Sequence, residues 1–416
     1  MAGRPNSRLH ALSHLQQNST AEVQLCDLVP WCFDYTDSVN KTHMAVPQIA
    51  LLVSSYERPG HLQRCLLSIA CQRDVPGGFE VVVTDDGSTD ETEQVVRDFA
   101  RSVDFQVQFV THLHNGFQLA RCRNNGVKAS QAPYLLFLDG DCLLPSDHVS
   151  WHVRQRRRHV VSAGDCCRLD QVTSEQINDS KIRDGSFVNT APRAELRRMA
   201  RQHRKAVLYN LIRHATKPKL IGNNIGIARE DYERVNGYDE RFVGWGCEDD
   251  DLRLRLRQAG IRIQSVMNRT FTYHLWHPYV PSAALEWKAG PNVKYLQRQS
   301  RLTRCLSGMT HRKPEELATS LTGQPQSYGQ VVEFLPQLTS QATVDTPDIE
   351  VLVLPGTGEF TGQADCQLLV VLDGTPIPAR QLRRADAIVT DQLPPVPTAK
   401  PYFPLSQFQE AVRAVA

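Results

Sequence analysis

The chain contains no apolar run approaching the roughly 20 residues needed to cross a bilayer. Its N-terminal stretch, Met1 to Lys41, is polar and lacks the apolar core of a signal peptide. Eleven cysteines are present, but no two stand at CxxC spacing, which argues against a zinc ribbon or a disulfide-stapled scaffold. Cys166 and Cys167 are adjacent, an arrangement that rarely closes on itself. The simplest compartment for such a chain is a reducing one, so a cytoplasmic protein is expected, at most peripheral at the inner membrane face. Net charge is only +2, so bulk electrostatics imply no nucleic acid or other polyanion as partner. No GxGxxG follows the first predicted strand, which disfavours the common dinucleotide-binding fold of dehydrogenases.

What is present is ordinary globular composition over 416 residues, 41% hydrophobic and 22% charged, enough for two or three domains. From Pro47 strand and helix signals alternate. Strands are predicted over 49–55, 80–84, 105–110 and 134–138, and helices over 61–70, 90–100 and 118–129. Repeated β-α units imply an α/β fold with a mostly parallel central sheet and flanking helices. Residues 169–219 are polar and basic and predict a surface helix with a mobile loop. The expected organisation is an N-terminal extension over 1–45, a main α/β unit over 46–312 (halves 46–150 and 151–312) and a linker over 313–347 rich in Thr, Gln, Ser and Pro. A small C-terminal α/β appendage follows over 348–416, built on the apolar runs at 349–355, 367–374 and 385–391.

Four constellations carry chemistry. The run Leu136-Phe137-Leu138 ends in Asp139-Gly140-Asp141, which sets hard oxygen ligands at the carboxyl edge of a sheet, where open α/β folds bind ligands. Such ligands suit Mg²⁺ or Mn²⁺ holding a diphosphate. A second acidic pair, Asp85-Asp86, also ends a strand. Helix capping explains Asp90, whereas a carboxylate at the position of Asp86 can accept an N–H from a nucleobase. The third is Trp245-Gly246-Cys247-Glu248-Asp249-Asp250-Asp251. Four consecutive acids suit the first turn of a helix, and a capped, solvated acidic end accounts for Asp250 or Asp251. It does not account for Trp245 between two glycines, a flat face suited to a sugar ring. A carboxylate beside such a platform can take a proton from a hydroxyl. The segment LRLRLRQAG after the acids reads as a helix ending at Gly260. The fourth, Tyr273-His274-Leu275-Trp276-His277, offers an imidazole to a metal already held by Asp141.

Together LLVSSYERPGHLQRCLLSI, VVVTDDGSTDET, ARCRNNGVKAS and YLLFLDGDCLLP resemble the nucleotide-sugar half of the inverting GT-A glycosyltransferases of family 2. GNNIGIAREDYERVNGYDERFVGWGCEDDDLRLRLRQAG followed by TYHLWHP resembles the galactosyltransferase-type C-terminal half found in β-1,4-galactosyltransferases, chondroitin polymerases and polypeptide N-acetylgalactosaminyltransferases. The resemblance covers about 46–308. It implies that Asp86 binds uracil with help from Ser54, that Asp139 contacts the donor's ribose or sugar, and that Asp141 ligates Mn²⁺ (or Mg²⁺) together with His274, His277 being the weaker alternative. Trp245 is implied as acceptor platform, Glu248 and Asp249 as binders of sugar hydroxyls, and Asp249 as the base. Arg121 or Arg123 is implied at the diphosphate or uracil. Cys247 stands where many relatives have a second glycine.

The resemblance implies inverting transfer of a hexose or N-acetylhexosamine, galactose or N-acetylgalactosamine favoured, from a UDP-sugar to a hydroxyl of a glycan or lipid-linked acceptor. Two rival readings are a retaining N-acetylgalactosaminyltransferase-like enzyme and a non-catalytic nucleotide-sugar-binding subunit. The basic segment Arg154 to Arg158, with Arg193 to Lys205, is either a solvated face or a peripheral contact with an anionic membrane.

Overall fold

The computed structural model describes residues 31–34, 46–278, 288–298, 301–322, 347–356, 358–392 and 399–416. The main unit is built on β1 (Trp31–Asp34), β2 (Ile49–Ser55), β3 (Phe79–Asp85), β4 (Val107–Thr111) and β5 (Tyr134–Asp139). Then come β6 (Cys142–Leu143), β7 (Val160–Ala163), β8 (Cys166–Arg168), β9 (Asn224–Ala228), β10 (Arg262–Ser265) and β11 (Thr272–His274). The eight-stranded sheet has the order β1-β4-β3-β2-β5-β9-β7-β10. β2, β3, β4 and β5 run parallel, as expected for repeated β-α units. β1, inside the stretch expected as an N-terminal extension, pairs antiparallel with β4 at the sheet's edge.

The apolar runs are continuous because both faces of the sheet are covered. In β2, Ala50 and Leu52 pack with Ala120, Val127, Leu252 and Leu256, from the helices Leu119–Ala129 and Glu248–Gln258. Ile49, Leu51 and Val53 pack on the other face with Leu62, Leu66 and Ile69 of the helix Pro59–Ala70. The segment LRLRLR is a helix, as the acids and Gly260 at its ends predict.

Two departures from parallel order build the site. β9 runs antiparallel to both β5 and β7, so its start, just after Gly222 and Asn223, lies at the carboxyl edge beside Leu138. β11 pairs with β6 and β8 in a separate three-stranded sheet. That register sets His274 opposite Cys142, one residue from Asp141.

Within residues 169–219 the surface helix is Arg193–Leu211, preceded by short helices at Gln171–Gln176 and Asp179–Arg183. The C-terminal runs form a second, all-parallel sheet, β12 (Thr319–Thr322), β13 (Ile349–Leu354), β14 (Cys366–Val371), β15 (Ala387–Thr390) and β16 (Tyr402–Pro404), in sequence order. β12 falls inside the stretch expected as linker. Its polar residues tolerate an edge strand, and Leu317 and Leu321 join the appendage core. Residues 323–346 of that stretch lie outside the described residues. Leu302 and Leu306 pack into the same core, so the appendage shares apolar surface with the end of the main unit. Asp365 adds bonds from Thr303 N (2.6 Å) and Gln258 Nε2 (2.6 Å).

Asp251 corrects one expectation. It is not a solvated helix end but fully buried, accepting from Arg255 Nε (2.6 Å), Arg298 Nη2 (2.8 Å) and Arg301 Nε (3.1 Å). Asp251→Ala leaves three guanidinium groups without their shared anion. It should cost about 3–5 kcal/mol, read as a lower urea midpoint at unchanged slope.

A second buried polar group is pH-sensitive. His148 and His152 lie edge to face, 4.9 Å between ring centroids, with no exposure. Burial pushes both imidazoles below the usual histidine value, His152 from 6.5 to about 4. Both are neutral in the fold at neutral pH, and the unfolded chain takes up protons first on acidification. Their stabilisation is therefore present above pH 6.5 and lost as pH falls towards 4. The urea midpoint should drop more steeply over that window in the wild type than in His152→Gln; equal slopes would discard this account.

Candidate active site

The turn after β5 is tight because Gly140 N donates to Ser54 O (2.8 Å), and a Cβ on Gly140 would meet that oxygen at 2.9 Å. Asp141 is thereby held at the sheet edge. Its Oδ2 accepts from Arg58 Nη1 (3.2 Å), and His274 Nε2 and His277 Nε2 each approach it to 3.5 Å. The ligating atoms of Asp141, His274 and His277 all lie within 4.8 Å of one another. One carboxylate and two imidazoles converging on one point is a donor set that fits Mn²⁺ or a similar divalent ion. His277, the weaker candidate by sequence, stands as close as His274. Burial opposes ionisation of Asp141, but His277, His274 and Arg58 outweigh it and hold the carboxyl down at about 2.

Beside this point lies a network centred on Arg123. Its guanidinium is fully buried and donates to Asp249 Oδ1 (3.0 Å), Tyr238 Oη (3.1 Å) and Asp139 Oδ1 (3.3 Å), with Glu248 Oε1 at 3.9 Å. Asp249 also accepts from Tyr238 Oη (2.9 Å) and from Gly222 N (2.8 Å). Of the two arginines the sequence left open, Arg123 faces inward and binds carboxylates. Arg121, two residues earlier on the same helix, is only half-buried. Burial pushes the Glu248 carboxyl up to about 8, Asp249 adds to the rise, and Arg123 opposes it.

Two residues here escaped sequence reasoning. A Cβ on Gly222 would meet Arg123 Nη2 at 2.1 Å, so the backbone approaches the guanidinium as only glycine allows. Tyr238 bridges Arg123 and Asp249 from a loop. The glycine in GNNIG was the one available signal for the first, and the sequence held none for the second.

Asp86 is buried at the other end of the sheet edge. Its Oδ1 lies 3.0 Å from His112 Nε2, and its Oδ2 accepts from Gln118 N (3.0 Å). Ser54 is the penultimate residue of β2, with its hydroxyl 3.5 Å from Thr84 Oγ1. Next to Asp86, Tyr56 and His114 stack with ring centroids 4.5 Å apart, an aromatic pair the sequence reading did not select. Trp245 is 42% exposed. It shares a cavity of about 280 Å³ with Arg123, Asp139, Gly222, Glu248 and Asp249. The loop is held by Asn292 Nδ2 on Gly246 O (3.0 Å). Cys247 sits in the left-handed region, φ 77°, which explains why glycine suits that position.

Arg154 to Arg158 are not near this cavity. They precede β7, at the amino edge opposite the site. Arg154 is bonded to Asp74 O, Arg156 to Gln48 Oε1, and Arg158 to both oxygens of Glu230. Among the described residues no helix is long and apolar enough to cross a membrane.

With this geometry in view, residues 51–279 match the family model described as glycosyltransferase like family 2, and the chain belongs to that family. It is 32% identical over 231 residues to validoxylamine A glucosyltransferase of Streptomyces hygroscopicus subsp. limoneus, covering 52% of this chain and 49% of the relative. It is 23% identical over 253 residues to chondroitin synthase of Escherichia coli, covering 57% and 36%. The chain thus spans about half, or less, of the curated relatives it matches. A solved structure, S. aureus TarS 1-349 in complex with UDP-GlcNAc, is similar at a TM-score of 0.40 and 16% identity, covering 56% of this chain and 60% of that one.

Gly222→Ala should push the Arg123 guanidinium aside and free Asp249 from the Gly222 N–H. A displacement of that size is expected to lower turnover on the order of 10²-fold. The far-ultraviolet circular dichroism should keep its native shape while the melting temperature falls, because the displaced guanidinium is buried and loses its carboxylate partners. Wild-type turnover in this variant would argue against a role for the network.

Proposed function

We propose that the protein is a metal-dependent, inverting glycosyltransferase that moves a hexose or N-acetylhexosamine from a UDP-sugar to an acceptor hydroxyl. The observation that carries this reading is the adjacency, at one sheet edge, of a metal-type donor set and a cavity lined by ionisable carboxylates and an exposed tryptophan. Asp141, His274 and His277 would hold Mn²⁺ or Mg²⁺, which supplies charge neutralisation for the departing diphosphate. Asp86, with Ser54, would receive the uracil N–H, and the Tyr56–His114 pair offers the base a flat neighbour. Asp139, kept in place by Arg123, faces the donor's ribose or sugar. Trp245 would carry the acceptor ring, and Glu248 would hold its hydroxyls. The galactosyltransferase-type character of the second half remains part of this proposal. The name of the Streptomyces relative adds glucose to galactose and N-acetylgalactosamine as donor sugars to test.

Asp249 is our choice of base. Three donors fix its orientation, and a carboxylate has about four acceptor sites, so one is left for a hydroxyl. Glu248 is the specific alternative, because a carboxyl raised to about 8 is poised for proton transfer near neutral pH. The two assignments differ in mutant behaviour. A Glu248 base works only when ionised, so kcat/KM should climb through pH 8 and Glu248→Gln should abolish that limb along with the activity. With Asp249 as base, Asp249→Asn should reduce transfer on the order of 10²–10⁴-fold at near-normal donor binding, while Glu248→Gln retains measurable transfer. Mn²⁺-stimulated UDP release should be screened with UDP-glucose, UDP-galactose and UDP-N-acetylgalactosamine. Asp141→Ala should remove the metal stimulation; undiminished release would sink the metal assignment. The anomeric configuration of the product, read by proton NMR, separates inversion from the retaining alternative. UDP release itself separates an enzyme from a non-catalytic subunit.

A further inference from the structure

The helix Arg193–Leu211 has an inner face that is fully accounted for. Met199 and Ala206 are buried, His203 Nδ1 lies 3.0 Å from Ser265 Oγ, Asn210 Nδ2 donates to Ile263 O (2.8 Å), and Arg198 donates inward to Asp165 (2.6 Å). The outer face is different in kind along its length. Arg193, Arg197, Arg201 and Arg204 follow one another at helical spacing and are exposed. The same row then turns apolar. Leu208 is 52% exposed, Leu211 79% and Ile212 57%, with Val207 beside them at 54%. From Arg193 to Lys219 the chain carries nine lysines and arginines and one acid, Glu195.

Large aliphatic side chains this exposed, at the tip of a basic helix, need a low-dielectric cover that tolerates cations. A protein interface would have to supply an acid for each guanidinium it desolvates. An anionic bilayer satisfies both halves at once: aliphatic tips enter the acyl boundary and arginines meet lipid phosphates. The position is also suitable. The chain leaving the helix is tied to the helix Glu248–Gln258, since Arg253 donates to Thr216 O and Arg257 to Lys217 O. It then lines the cavity at Lys219, Leu220 and Gly222.

We propose that the outer face of Arg193–Leu211, with Ile212, docks the protein on an anionic phospholipid surface. The catalytic cavity then opens next to that surface. The consequence for the acceptor, which would be presented at the bilayer, rests on the function proposed above; the docking itself does not. The contact lies on this helix and not on Arg154 to Arg158, whose cations are largely engaged at the opposite sheet edge.

The test is flotation of the full chain with vesicles of phosphatidylcholine and phosphatidylglycerol, compared with phosphatidylcholine alone. Binding should be seen with the anionic vesicles and fall with added salt. The triple variant Arg197→Glu/Arg201→Glu/Arg204→Glu should bind on the order of a hundredfold more weakly. Leu208→Ser/Leu211→Ser, which keeps every charge, should lose binding as well. Both variants change exposed side chains, so their melting temperatures and UDP-sugar hydrolysis should match the wild type. No binding to anionic vesicles, or variants that float like the wild type, would overturn the proposal. So would a dimer in sedimentation velocity that Leu208→Ser/Leu211→Ser disperses, without vesicle binding, since a second copy would then cover the face. Hydrolysis failing while flotation succeeds would count against the enzymatic reading and leave the docking intact.

Discussion

The cavity depends on one buried cation. Arg123 carries a full charge on a fully buried side chain, and such a charge is costly unless opposite charge surrounds it. Asp139 and Asp249 supply that charge from two different elements, the end of β5 and the first turn of Glu248–Gln258. The reverse also holds. Asp139, Glu248 and Asp249 would repel one another if left alone, and Arg123 is the group between them. The Gly222 N–H and the Tyr238 hydroxyl complete the set. The geometry of the acidic cluster follows from satisfying this guanidinium, which is why a glycine backbone must pass so close to it.

The metal-type site is organised by the same logic with the sign exchanged. Asp141 is a carboxylate facing three nitrogen-bearing side chains, Arg58, His274 and His277. Two of these can act as ligands and one cannot, since a guanidinium has no lone pair to offer. Arg58 immediately precedes the helix Pro59–Ala70, whereas the histidines arrive from β11 and the segment after it. Three separate parts of the chain therefore meet at a single carboxylate oxygen. The anion-to-cation alternation continues along the sheet edge from Asp141 to Arg123 to Asp249, which keeps dense charge compatible with burial.

The fold brings this about through its reversed strand. If β9 ran parallel to its neighbours, Gly222 would lie at the amino edge and the Arg123 network would lack its backbone donor. Because β9 is antiparallel, its start meets the end of β5. The appendage contributes differently. Its sheet buries Leu302 and Leu306 from the end of the main unit, and Asp365 clasps Thr303 and Gln258. Gln258 is the last residue of the helix whose first turn holds Glu248 and Asp249, so the second sheet buttresses the far end of the helix that carries the acids.

Local physics written in the sequence determined a good deal. The span of β2, 49–55, follows from an uninterrupted apolar run, and the helix at Glu248–Gln258 from acids at one end and Gly260 beyond the other. Those signals depend on neighbours within a few residues, so no knowledge of the fold is needed to read them. The acids at strand ends were legible for the same reason, as was the candidate pairing of Asp141 with His274. Tertiary structure alone decided the rest. That Arg123 and not Arg121 turns inward depends on which side of the helix Leu119–Ala129 meets β2, β3 and β4. Gly222 and Tyr238 matter because they converge on a guanidinium encoded about a hundred positions earlier. Asp251 reads as a solvated helix end until Arg298 and Arg301 arrive from another segment to surround it. In each case the deciding partner is distant along the chain, and the sequence alone cannot show which charges the fold will bring face to face.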